Sequence, residues 1–235
     1  MAVLNSAQGL AQGSAPRPGV TQRVLAVCWL AILFEGYDVG VMGAVLPAMA
    51  EDRQWNLSAL ALGALSSYAL VGMLVGALAV GTLSEILGRR RMLLACVGVF
   101  SLSMAGAAWA PTPGLFALFR LAGGLGLGGV IPVAAALTIE YSPTERRSFN
   151  YGLMYSGYSF GILSAAFLSM QWLPQIGWRG VIAAGALPLL ALWPMARALP
   201  ESLEYLVGKG RLSQARALAA RLGVVGLPLP RPTPV

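Results

Sequence analysis

Six apolar runs, each long enough to cross a lipid bilayer, constrain this chain more than any single motif does. They lie at about 24–46, 57–86, 92–110, 115–139, 150–170 and 179–198, and roughly 20 apolar residues are enough for a helix to span the hydrocarbon core. Short polar or helix-breaking segments separate them, such as Gly88 with Arg89, Arg90 and Arg91, and Pro174 with Gly177. The composition agrees, with 57% hydrophobic residues, 11% charged residues and a mean hydropathy of +0.71. The expectation is an all-α integral membrane protein, a six-transmembrane-helix bundle in a lipid bilayer.

The net charge of +7 does not point to nucleic acid, because the basic residues fall in short clusters between the apolar runs. Arg17, Arg23, Arg89, Arg146, Arg197 and Lys209 would share one side of the membrane, against Arg53 and Arg179 on the other. The positive-inside rule then predicts cytoplasmic termini for a multi-pass protein of the cell (inner) membrane. Residues 1–22 carry no signal-peptide pattern and read as a flexible cytoplasmic N-terminus, followed by a membrane domain over 23–199. An amphipathic cytoplasmic segment is expected over 200–223 and a Pro-rich tail over 224–235.

Enzyme chemistry has little to stand on. There is no histidine, and Cys28 and Cys96 lie inside apolar runs without metal-site spacing, so no metal or cofactor is expected. Gly124, Gly126 and Gly129 match a dinucleotide fingerprint by letter, but they sit in a membrane-length helix and not in a strand-helix-strand unit.

Charges inside the runs point elsewhere. Glu35 and Asp38, three residues apart in the first span, project from much the same helix face, and an intramembrane acid is by default a functional-site candidate. Arg120, in the fourth span, lies at a depth from which it can meet Asp38; the alternative is that it snorkels to the outer headgroups. Gly72 and Gly76 in the second span, and Gly124 and Gly128 in the fourth, have the small-residue spacing that lets helices approach closely. Glu85, Glu140 and Arg147 lie near one membrane surface, where Glu140 at a helix C-terminus needs a cation such as Arg147 or Arg89 to offset the macrodipole. They read either as a gate or as solvated surface charges. In the fifth span, Tyr155 and Tyr158 offer aromatic faces for a planar substrate or for helix packing.

These residues resemble the amino-terminal half of a major facilitator superfamily transporter. The resemblance rests on Gly81-Thr82-Leu83-Ser84-Glu85-Ile86-Leu87-Gly88-Arg89-Arg90-Arg91 between spans two and three, on Arg120 with Gly124, Gly126 and Gly128, on Glu140 with Arg147, and on Pro200-Glu201-Ser202. Glu35-Gly36-Tyr37-Asp38 further resembles the first-span pattern of the aromatic acid:proton symporters. What this implies is a 3+3 inverted repeat and proton-coupled symport of a small organic anion such as a hydroxybenzoate. Glu35, Asp38, Arg120, Tyr155 and Tyr158 are then the proton-coupling and substrate residues, and Gly81, Glu85, Gly88, Arg89, Arg90, Glu140 and Arg147 a cytoplasmic gate. The sequence departs from the pattern at Glu85-Ile86, where Asp-Arg is usual, and at Leu203-Glu204, where Pro-Arg is usual. A sugar or other metabolite porter of the same superfamily and a non-transporting membrane fragment are the alternatives. The family has two six-span halves, so this chain is a fragment, a truncation, or a half that pairs with a second six-span half or with itself.

Overall fold

The computed structural model describes residues 17–224, and within them the chain is helical almost throughout. The expected Pro-rich tail and most of the expected flexible N-terminus lie outside these residues. Helix α1, Pro18–Ala50, begins ahead of the apolar run itself, with a proline in its first turn where a missing N–H costs nothing. Helix α2, Ala59–Leu87, starts at Ser58, whose hydroxyl accepts from the Ala61 amide at 3.2 Å. Gly88 alone separates α2 from α3, Arg89–Ala108, and its φ of 101° is the left-handed backbone so abrupt a reversal requires. Helix α4, Pro113–Glu140, is capped by Thr112. After a 3-10 turn at Thr144–Arg146 come α5, Arg147–Ala184, α6, Pro188–Ala198, α7, Leu203–Gly208, and α8, Leu212–Leu222.

The fifth and sixth crossings share α5. Its backbone leaves helical geometry at Gly177, with φ 67° and ψ 175°, and the chain folds back there. Arg179 donates to the carbonyls of Ala108 and Ala110 at 3.1 and 2.8 Å, at the far end of α3. Arg90, at the near end of α3, donates to the carbonyl of Ala196 at 2.5 Å. Residues 178–198 therefore cross the bundle once. This crossing is not the unbroken helix expected from the sequence. Pro188 has no N–H to continue the α-helical ladder, and Gly185, Ala186 and Leu187 tighten to three-residue hydrogen bonds just before it. The amide of Arg17 donates to the carbonyl of Leu222 at 3.2 Å, so both described ends meet on one face, here called the terminal face.

Two glycine seams hold the bundle. Gly72 and Gly76 of α2 press on the backbone of Leu121 and Leu125 in α4, while Gly124 and Gly128 press back on the carbonyls of Ala69 and Met73. The second seam, between α1 and α5, was not expected: Gly36 lies against the Tyr158 carbonyl, Gly161 against that of Leu33, and a Cβ on Gly157 would sit 2.6 Å from that of Trp29. The pairing of α1 with α5 repeats that of α4 with α2, as an inverted repeat of three crossings requires. Gly161→Leu should lower stability by about 1–3 kcal/mol through overpacking at this seam. Gly152→Leu, where an added side chain meets open space, should not. The thermal unfolding midpoints of the two variants in the same detergent check the difference.

The apolar interior of the membrane-length helices divides into two clusters, and a third, small one joins α7 to α8. One, towards the terminal face, gathers Val24, Ile32, Phe100, Leu127 and Leu137; the other gathers Val41, Met104, Phe116 and Ile182. Glu35 and Asp38 of α1 and Arg120 of α4 lie where these two clusters meet.

Candidate functional site

Glu35, Asp38 and Arg120 are 0%, 1% and 3% exposed. Arg120 is therefore an interior residue and does not snorkel. Its Nη1 donates to Asp38 Oδ1 and approaches Met104 Sδ of α3 at 3.1 Å. The geometry leaves capacity unused: both carboxyl oxygens of Glu35, Oδ2 of Asp38 and Nε of Arg120 have no hydrogen-bond partner among the described residues. Arg120 is thus paired with Asp38 alone, and the neighbouring Glu35 has no ion-pair partner among the described residues. Burying charge this way is costly unless the pair stays intact, and removing one partner typically costs about 3–5 kcal/mol. Such a cluster is suited to exchanging ligands, because an incoming anion can replace Asp38 on the guanidinium. Tyr37, between the two acids, donates its hydroxyl to the Val181 carbonyl at 2.8 Å and ties α1 to the sixth crossing.

The tyrosines of α5 form a ladder beside this layer. Tyr155 stacks on Tyr158 with ring centroids 5.9 Å apart and on Tyr151 at 6.3 Å. The carbonyl of Tyr158 backs onto Gly36, next to Glu35, so the ladder begins at the acid pair and runs towards the terminal face. Tyr155 is 41% exposed, which leaves its ring available to a partner or ligand.

On the terminal face a second set of charges is tightly connected. Arg89 donates to both Glu140 and Glu204 at 2.9 Å. Glu140 Oε1 accepts from the amides of Leu203 and Glu204 at 2.6 and 3.1 Å, which places a carboxylate on the N-terminus of α7. The offset that Glu140 needs thus comes from Arg89 and from α7. Arg147 and Glu85 are exposed and form no ion pair among the described residues, and Gly81 faces open space. Gly88 packs against the Glu201 carboxylate, and Glu201 Oε1 accepts from the amides of Arg90 and Ser202 at 3.0 Å. Tyr141, whose phenol is pushed up by burial and by the carboxylates of Glu140 and Glu201, donates to the Glu201 carbonyl. Glu201 and Glu204 join this network, a role not expected for them from the sequence. The signal was there in part, since Leu203-Glu204 is where the chain departs from the family pattern.

Residues 24–231 match the family described as "Sugar (and other) transporter". This chain belongs to that family, within the major facilitator superfamily. Among its relatives, the benzoate transport protein of Acinetobacter baylyi is 35% identical over 85% of this chain and 44% of the relative. The gallate transporter of Pseudomonas putida is 39% identical over 85% and 44%, and the 4-hydroxybenzoate transporter PcaK of Pseudomonas aeruginosa is 34% identical over 82% and 43%. The chain spans less than half the length of these relatives. The inward-open xylose transporter XylE from E. coli superposes with a TM-score of 0.74 at 24% identity, over 86% of this chain and 52% of that one. A bacterial homologue of the human lysosomal transporter Spinster superposes at 0.64. The likeness establishes the fold: this superfamily chain is a multi-pass membrane protein with the architecture of one six-helix half, and its relatives are transporters and not enzymes.

Proposed function

We propose that the chain is the amino-terminal half of a proton-coupled symporter for a small organic anion, an aromatic carboxylate such as a hydroxybenzoate. The observation that carries this is the buried Asp38–Arg120 pair beside an unpartnered Glu35. The substrates for which the relatives are named, benzoate, gallate and 4-hydroxybenzoate, all carry a carboxylate on an aromatic ring. In the proposed cycle the substrate carboxylate takes the place of Asp38 on Arg120, while Tyr158 and Tyr155 present their faces to the ring. Asp38 then becomes a buried charge without a partner, and taking up a proton removes it. Glu35, one helical turn away, supplies a second proton position.

The remaining site lies between this half and a second six-span half. The terminal face is assigned to the cytoplasm of the inner membrane, on the distribution of arginines. There Gly81, Glu85, Gly88, Arg89, Arg90, Glu140 and Arg147 form the gate, whose centre is the Arg89–Glu140 pair. Glu140→Gln is expected to weaken the closed arrangement and to raise labelling of a cysteine placed at Tyr155 from the cytoplasmic side. Unaltered labelling from either side would remove Glu140 from gating.

Uptake of labelled 4-hydroxybenzoate into proteoliposomes, with and without an inward proton gradient, tests the whole reading. Gradient-dependent accumulation supports it, in whichever assembly carries it, the chain alone or the chain co-expressed with a six-span partner. The family's description favours one rival, a sugar porter. Competition of uptake by sugars and not by benzoate would establish that instead.

A further inference from the structure

A cleft of about 450 Å³ opens on the terminal face between the ends of α1, α6 and α8; it shares Arg90 and Glu201 with the terminal-face network but is lined neither by the Arg89–Glu140 pair nor by the buried acids. Four arginines line it: Arg23 of α1, Arg90 of α3, Arg197 of α6 and Arg221 of α8. One carboxylate, Glu201, faces them, and its Oε1 is already committed to the amides of Arg90 and Ser202. Arg90 spends Nη2 on the Ala196 carbonyl and keeps a buried Nε without a partner. Arg23, Arg197 and Arg221 form no ion pair among the described residues, and residues 1–16 and 225–235 contain no Asp or Glu to supply one. Concentrated positive charge around a cleft of this size selects an anion, and guanidinium groups match phosphate oxygens in particular.

We propose that this cleft binds the phosphate headgroup of an anionic glycerophospholipid. The outward face of the sixth crossing identifies the source of the phosphate. Leu187, Leu190 and Trp193 recur at helical spacing and are 51%, 78% and 64% exposed. Next along this face comes Arg197, with its guanidinium 3.8 Å over the Trp193 ring. Apolar, then aromatic, then cationic is the order of hydrocarbon, interface and headgroup in a membrane. The cleft therefore opens at headgroup depth beside a surface that acyl chains cover. A free phosphate would use the arginines and leave the Leu187, Leu190 and Trp193 stripe unused.

The test is native mass spectrometry of the full chain released from micelles containing equal phosphatidylglycerol and phosphatidylcholine. Phosphatidylglycerol adducts should dominate, and each of Arg23→Gln, Arg197→Gln and Arg221→Gln should lower their retention roughly fivefold. Arg53→Gln and Arg146→Gln, which remove charge elsewhere, should not. Excess inorganic phosphate should leave the adducts in place. Equal retention of the two lipids, or a preference that survives all three cleft substitutions, would overturn the proposal. Displacement by inorganic phosphate would overturn the assignment to lipid. Helical circular dichroism is recorded for every variant, and because Arg197 is exposed, its substitution decides the question should another cleft variant fail to fold.

Discussion

Asp38→Asn is expected to abolish accumulation of the substrate anion against its gradient. Asparagine keeps an oxygen that can accept from Arg120 but carries neither the charge that competes with the substrate nor a site for the transported proton. Loss of coupling should be complete, because Asp38 is the acid that the substrate is proposed to displace from Arg120, and Glu35 makes no contact with that guanidinium. Uptake is normalised to folded protein, since the substitution also leaves a buried guanidinium without its counter-charge. Accumulation retained at the parent level would take Asp38 out of the mechanism.

Arg120→Met should have the largest effect on stability, a loss of about 3–5 kcal/mol, because it strands the charge of Asp38 in an apolar interior. The double variant Asp38→Asn/Arg120→Met should recover most of that loss, since a buried ion pair replaced by neutral groups is often close to neutral in stability. It should still fail to accumulate substrate. Unfolding midpoints of the two single variants and the double variant form a closed cycle whose coupling energy reports the pair directly. Equal midpoints for parent and Arg120→Met would mean that the pair is not formed in the membrane-embedded protein.

The fold was legible from the sequence because run length alone decides how many times a chain crosses a bilayer. The boundaries were less so. Polar residues extend α1 back to Pro18, and hydropathy does not register helical turns that continue beyond the membrane. The bend at Gly177 was marked by a glycine between two apolar runs, but the tightening before Pro188 was hidden inside one. The acid pair and Arg120 stood out because a charge in an apolar run has so few permitted places. Gly72, Gly76, Gly124 and Gly128 were readable by spacing, whereas the role of Gly36 against α5 shows only when the two helices are brought together. Glu201 and Glu204 reach Arg90 and Arg89 across more than a hundred residues of sequence, and no local pattern announces such a pairing. Arg147 was a plausible partner for Glu140 on sequence proximity alone. The beginning of α7 lies closer in space and supplies amide donors that a residue list does not display.

In the proposed cycle, anion and proton move together through the Asp38–Arg120 layer. The most direct measurement is the internal pH of proteoliposomes loaded with a trapped pH dye while labelled 4-hydroxybenzoate enters, in the assembly that supports uptake. Acidification is expected in step with entry of the label for the parent protein, and none for Asp38→Asn. Entry of the anion without acidification, or equal acidification in the variant, would contradict that cycle.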